Sequence, residues 1–159
     1  MGKNDEDIGG SISDTTKNRY LSFAIGEENF GMEIECVKEI INTFDITPVP
    51  HTQDYIKGIM NLRGDIIPVI DVRTRFLMEP KAYDELTCIV VLEQKDGNIG
   101  LIIDSVNEVK YISEQNISPP PAAKLNYVNQ FIKNLGRSDE RVILLIETQR
   151  LLYDDAVIV

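Results

Sequence analysis

Gly31-Met32-Glu33-Ile34-Glu35-Cys36-Val37-Lys38-Glu39-Ile40 and Gly100-Leu101-Ile102-Ile103-Asp104-Ser105-Val106-Asn107-Glu108-Val109 are the two stretches whose match decides the fold. Setting Gly31 on Gly100, an offset of 69, also sets Ile34 on Ile103, Val37 on Val106, Glu39 on Glu108, Ile40 on Val109 and Pro50 on Pro119. The chain therefore carries an internal repeat. Ahead of each match lies a hairpin signal. Leu21, Phe23 and Ile25 alternate with Tyr20, Ser22 and Ala24, the two-residue period of a half-buried strand. Gly26-Glu27-Glu28-Asn29 supplies a turn, and Phe30, Met32 and Ile34 resume the alternation. In the second copy Tyr83 to Leu86 leads into Cys88-Ile89-Val90-Val91-Leu92, Asp96-Gly97-Asn98 turns, and Ile99 to Ile103 returns.

After each hairpin the apolar residues shift to a spacing of three. Ile34, Val37 and Ile40 or Ile41 predict a turn or two of helix, and Ser105-Val106-Asn107-Glu108 has the form of a capping box. The repeat then continues more loosely, with Gly58 to Asp71 set on Gln130 to Glu147 through an insertion in the turn. Each copy offers a strand, a turn holding Arg and Gly, an apolar strand, and an acid opening a short helix, Asp71 to Phe76 and Glu147 to Tyr153. Five short strands per copy without a long helix between them predict two small, largely antiparallel barrels, a closure that removes exposed edges. Pro68 cannot donate to a ladder, which places its strand at an edge or a bulge. The predicted organisation is a mobile tail over residues 1–19, then a folded body over 20–159 whose repeats span about 20–82 and 83–153.

Composition narrows the partners. Of 26 acids and 16 bases, four and three fall in residues 1–19, leaving 22 and 13 for the body, and the net charge is −10. Nucleic acid or an anionic membrane would meet repulsion before contact. The longest apolar runs, Cys88–Leu92 and Val142–Ile146, fall far short of the roughly 20 residues a membrane span needs. The N-terminus lacks the basic and apolar regions of a secretory signal, so a cytoplasmic location is expected. Cys36 and Cys88 lie in apolar stretches and read as reduced core thiols.

Candidate chemistry is sparse. His51, the one histidine, sits in a connecting loop without a nucleophile or paired acid beside it. Asp71 and Glu147, one acid from each half, could form a proton-sharing dyad, but both stand where an acid caps a helix, and capping is the favoured reading. No phosphate-cradling loop or metal-ligand spacing occurs, and no cofactor or metal is expected. What remains is surface for other proteins. Arg63, in the turn Leu62-Arg63-Gly64-Asp65, should project a rigid fork of donors into solvent. It reads equally as an exposed arginine paired with Asp65. Val37 fits an apolar stripe, and Glu39 a solvated face.

The stretch from Tyr55 to Arg73, with Asn61-Leu62-Arg63-Gly64-Asp65-Ile66-Ile67-Pro68-Val69-Ile70-Asp71 at its centre, closely resembles the signature of the CheW family of bacterial chemotaxis coupling proteins. Phe30-Gly31-Met32-Glu33-Ile34, Val37-Lys38-Glu39-Ile40, Val90-Val91-Leu92 and Gly100-Leu101-Ile102-Ile103-Asp104 support it, over about residues 19 to 153. The resemblance implies two five-stranded SH3-like β-barrels packed around a shared hydrophobic seam. It implies a non-enzymatic adaptor joining the histidine autokinase CheA, through its C-terminal regulatory domain, to the cytoplasmic tips of methyl-accepting chemoreceptors. A like domain of a related adaptor, or of the kinase regulatory region itself, is the alternative. Carried over by motif, Val37 and Glu39 would face the kinase, and Asn61, Leu62, Arg63 and Gly64 the receptor, in arrays at the inner face of the membrane.

Overall fold

The structure, a computed structural model, describes residues 16–42, 44–120 and 127–153. Among the described residues eleven strands are formed: β1 (Arg19–Ile25), β2 (Glu28–Glu33), β3 (Val37–Ile41), β4 (Ile56–Leu62), β5 (Asp65–Asp71), β6 (Cys88–Gln94), β7 (Gly97–Ile103), β8 (Ser105–Tyr111), β9 (Ile117–Ser118), β10 (Ile132–Ser138) and β11 (Arg141–Ile146). Two short helices, α1 (Val72–Arg75) and α2 (Thr148–Tyr153), follow β5 and β11. The fold is mainly β, as expected, in two sheets. One has six strands in the order β8-β1-β2-β11-β10-β9, and the other five in the order β3-β6-β7-β5-β4.

The two copies exchange their hairpins. β1 and β2 from the first copy sit among strands of the second, and β6 and β7 from the second sit among strands of the first. The exchange is made by four contacts between copies, the parallel pairs β2 with β11 and β5 with β7 and the antiparallel pairs β1 with β8 and β3 with β6. Because of it, neither copy can complete a sheet alone.

Alternation sorts the apolar residues into three clusters. Leu21, Phe23, Phe30 and Met32 from the six-stranded sheet and Val90, Leu92, Leu101 and Ile103 from the five-stranded one form the shared seam, with Val72 and Phe76 at α1 and Leu151 and Leu152 of α2. Rings of Phe23, Phe30, Phe76 and Phe131 follow one another at centroid distances of 5.3 to 5.9 Å, a favoured range for aromatic pairs. On its other face each sheet holds a smaller core: Met60, Ile67, Val69, Ile89, Val91 and Ile102 in one, Tyr20, Ile112, Ile143 and Leu145 in the other. Both sheets curl around these cores. Outer strands of a flat five-stranded sheet stand about 19 Å apart. Yet Glu39 on outer strand β3 reaches Arg63 beyond β4 at 2.7 Å, and Lys110 on outer strand β8 reaches Asp139 beyond β10 at 3.1 Å.

Several expectations are corrected. The helix predicted after Ile34 is a single 3-10 turn, Ile34–Cys36, followed by strand β3, and the capping-box stretch from Ser105 is strand β8. The cause is a duplicated bulge. The register steps between Val37 and Glu39 against β6, and again between Ser22 and Phe23 of β1, where Val106 and Glu108 of β8 pair. One skipped residue puts Val37 and Ile40 opposite Leu92 and Val90 on the same face, so a bulged strand imitates helical spacing. The later half of the repeat needs no insertion. A constant offset of 76 carries the β4–β5 hairpin onto β10–β11 (Ile56 to Ile132, Ile70 to Ile146), bulge included. The second turn is thus Asp139-Glu140, and Gly136 and Arg137 lie within β10.

β5 is an inner strand, but its ladder to β7 starts at Val69, so Pro68 has a strand on one side only. Tyr83 to Leu86 is irregular rather than a strand. Of the expected tail, residues 1–15 lie outside the described residues, and Arg19 already pairs with Tyr111 as the start of β1.

Candidate functional site

The β4–β5 connection is a two-residue turn, Arg63-Gly64, between paired Leu62 and Asp65. Its φ angles are 53° and 88°, both positive, which is the backbone of the tight turn whose twist matches a hairpin. Glycine accepts that geometry at no steric cost, whereas Arg63 carries a Cβ there at a cost of about 1 kcal/mol or more. An acceptor from the preceding strand stabilises the turn: Asn61 Oδ1 accepts the Gly64 N–H at 2.7 Å.

Arg63 does not pair with Asp65, its sequence neighbour. Its Nη2 donates to both oxygens of Glu39, at 2.7 and 2.8 Å. With side-chain exposures of 67% for Arg63 and 27% for Glu39, the pair contributes about 0–1 kcal/mol to stability. The contact places the guanidinium at the mouth of the curled five-stranded sheet, between its two outer strands. Asp65 receives instead the Asn98 amide at 3.3 Å, across from the β6–β7 turn. Lys38, Glu39, Leu62, Arg63, Asp65 and Asn98 line a cleft of about 320 Å3 at this mouth.

Val37 is half-buried and packs on the seam, while Ile40 on the same strand is 38% exposed. Leu62 is half-buried against the inner core of its own sheet. Glu39, Asn61, Arg63 and Gly64 thus share the mouth, and Val37 lies further along β3. Ile66, 56% exposed beside Asn61 in the ladder, was not singled out by the sequence, and neither was Asn98. The alternation of β5 carried the signal for Ile66, since Ile67 and Val69 take the inward positions.

The remaining candidates resolve into structure. Asp71 Oδ1 accepts the Arg73 N–H at 2.9 Å as the cap of α1, and Oδ2 accepts the Tyr83 hydroxyl at 2.8 Å. Burial and the Asp71 carboxylate push the Tyr83 phenol well above its ordinary range. Glu147 is likewise placed just before α2, its carbonyl accepting from the N–H groups of Arg150 and Leu151. His51 is exposed at φ 63° in the 42–55 connection. Cys36 and Cys88 are free thiols. Among the described residues no cluster of His, Cys, Asp or Glu could hold a metal, and no helix is long and apolar enough to cross a membrane.

A pair of curled sheets on a common seam, displaying a braced charged turn at one mouth, defines a β-scaffold with an exposed charged site. Comparison with known proteins identifies which one. The CheW-like domain family matches residues 19–156. "Chemotaxis protein CheW" of Klebsiella aerogenes is 33% identical over 142 residues, covering 89% of this chain and 86% of that protein. The Thermotoga maritima protein of the same name is 28% identical over 151 residues, covering 92% and 96%. The crystal structure of the scaffolding protein TtCheW from Thermoanaerobacter tengcongensis superposes with a TM-score of 0.80 at 33% identity, covering 87% of this chain and 94% of that one. The chain belongs to the CheW family.

Proposed function

We propose that this chain is a chemotaxis adaptor coupling methyl-accepting chemoreceptors to the histidine autokinase CheA, working in the cytoplasm at the inner face of the membrane. It acts by binding alone, without a catalytic step or cofactor. In this reading Val37 and Glu39 face the kinase's C-terminal regulatory domain, and the turn built by Asn61, Leu62, Arg63 and Gly64 meets the helical tip of the receptor. The observation that supports it is the contact of Arg63 Nη2 with both Glu39 carboxylate oxygens, which makes the turn proposed for the receptor a neighbour of the strand proposed for the kinase. A receptor can alter kinase activity through an adaptor only if the adaptor's contacts differ in free energy between the two signalling states. Groups that share an ion pair are suited to that, because drawing Arg63 toward a receptor acid changes the charge that Glu39 presents to the kinase.

The test is co-sedimentation with receptor-bearing membranes, with and without CheA, while autophosphorylation is followed. The chain is expected to bring the kinase down with the membranes and to make its activity receptor-dependent, and Glu39→Lys to lose kinase recruitment while remaining folded. Kinase sedimentation and activity indifferent to the chain would reject the reading.

A further inference from the structure

Asn61 is exposed in the strand before the Arg63-Gly64 turn, where a contact residue is expected, yet its acceptor oxygen is already engaged by the Gly64 N–H at 2.7 Å. Asn98, contributed by the β6–β7 hairpin of the other repeat copy, donates to Asp65 Oδ2 on the far side of the same turn. Arg63 lies between these two anchors at φ 53°, a conformation that an isolated turn without glycine at that position would leave much of the time.

We propose that Asn61 and Asn98 are positioning residues for Arg63, acting on the receptor through the shape of the turn. This rests on the receptor-binding reading of that turn. Asn61 fixes the backbone by closing a side-chain bond onto Gly64, the same local bonding that makes Asn and Asp favoured turn residues. Asn98 fixes the flank by tying Asp65 to the second hairpin, which keeps the Asp65 carboxylate engaged away from the guanidinium and leaves Glu39 as its acid. Specificity for the turn's partner therefore depends on a residue from the second repeat copy, 35 positions from Arg63 in sequence.

The experiment uses two readouts on the full chain: hydrogen exchange of the Gly64 amide, and binding to a soluble helical hairpin from a receptor tip at raised salt, which screens added charge. Asn61→Ala removes the acceptor, whereas Asn61→Asp retains one. Asn61→Ala is expected to speed Gly64 exchange and weaken binding by about tenfold, the scale of one lost hydrogen bond. Asn61→Asp is expected to preserve both, and Asn98→Ala to weaken binding to a smaller extent. The proposal is overturned if Gly64 exchange is unchanged in Asn61→Ala, or if Asn61→Asp binds as poorly as Asn61→Ala, which would make Asn61 a direct contact. Failure of the parent chain to bind the hairpin would defeat the receptor reading, while Gly64 exchange still decides whether the brace exists.

Discussion

The mouths of the two curled sheets are built on one backbone and carry different chemistry. The turn Arg63-Gly64 has φ angles of 53° and 88°, and its counterpart 76 residues on, Asp139-Glu140, has 53° and 67°. Glu39 pairs with Val91 beside the first mouth, and Glu108 pairs with Ser22 beside the second, again at a matching bulge. The charges, however, are reversed along the turn: Arg63 and Asp65 correspond to Asp139 and Arg141 in the other copy. Two acids, Glu108 and Asp139, therefore meet where the first mouth has an acid and a base. Lys110 reconciles them, at 3.2 Å from Glu108 and 3.1 Å from Asp139, and its hydrogen bonds to Asp139 and then Glu108 raise its pKa. Duplication has kept the hydrogen-bonded frame, which the barrel needs, and let the mouth residues diverge, since exposed charges cost little.

The largest effect expected separates the two bulges. At Gly58, with φ at 151°, an added Cβ would lie 2.0 Å from the Thr47 carbonyl oxygen, which is backbone and cannot swing aside. Its counterpart, Asn134, already carries a full side chain. Gly58→Ala should cost about 3 kcal/mol or more in urea unfolding and Asn134→Ala about 1 kcal/mol or less. Equal costs would show that the 42–55 connection does not press on the first bulge.

The next contrast concerns function. Arg63→Ala should weaken receptor-tip binding at least tenfold, about 1.4 kcal/mol, with the melting temperature nearly unchanged. Asp139→Ala should leave that binding intact. Calorimetry on both variants decides whether the two mouths are distinct sites, and matched losses would erase the distinction.

These contrasts also show what could be read from the chain. Strands β1 and β2 were legible because their apolar residues recur at every second position, and β6 and β7 because two short apolar runs flank a turn marked by Gly97, whose φ is positive. β3 and β8 were misread because one bulged residue converts a period of two into a spacing of three, and no composition signal marks Lys38 or Asn107 as the skipped residue. The partner of Arg63 was hidden for another reason. Glu39 and Arg63 become neighbours only when the sheet curls, so local spacing pointed to Asp65 instead. Hairpin exchange was equally invisible, because a repeat reports which segments are alike and not which segments pair.

A third test uses the corners where hairpin and helix meet. Arg73 donates to Asp104 through Nε and Nη2, both side chains are about 15% exposed, and the Gly26 N–H adds a bond at 2.8 Å. Burial pushes the Asp104 carboxyl up, but those bonds more than offset it and hold its pKa below the ordinary aspartate range. The counterparts, Glu35 and Gln149, form no such ion pair: Glu35 accepts from Thr16, and the Gln149 amide donates to Gln94. A depressed carboxylate contributes stability above its unfolded pKa and loses it as pH falls through the folded value. Stability should therefore decline as pH drops below about 4, and Asp104→Asn should flatten that decline while costing about 3 kcal/mol at neutral pH. An unaltered acid limb in Asp104→Asn would place the lability elsewhere.

The smallest expected effect is at the second position of the second turn. Gly64 and Glu140 occupy the same left-handed position, and a Cβ added at Gly64 would meet nothing within 4 Å, so backbone strain alone distinguishes glycine from another residue there. Glu140→Gly relieves that strain but releases a more flexible unfolded chain, leaving a net gain of about 0.5 kcal/mol. The reciprocal Gly64→Ala should lose about 1 kcal/mol. Thermal unfolding of the two variants measures whether the turns are equivalent beneath their charges: opposite signs mean that backbone geometry governs both, and a destabilised Glu140→Gly means that the Glu140 side chain contributes more than its strain costs.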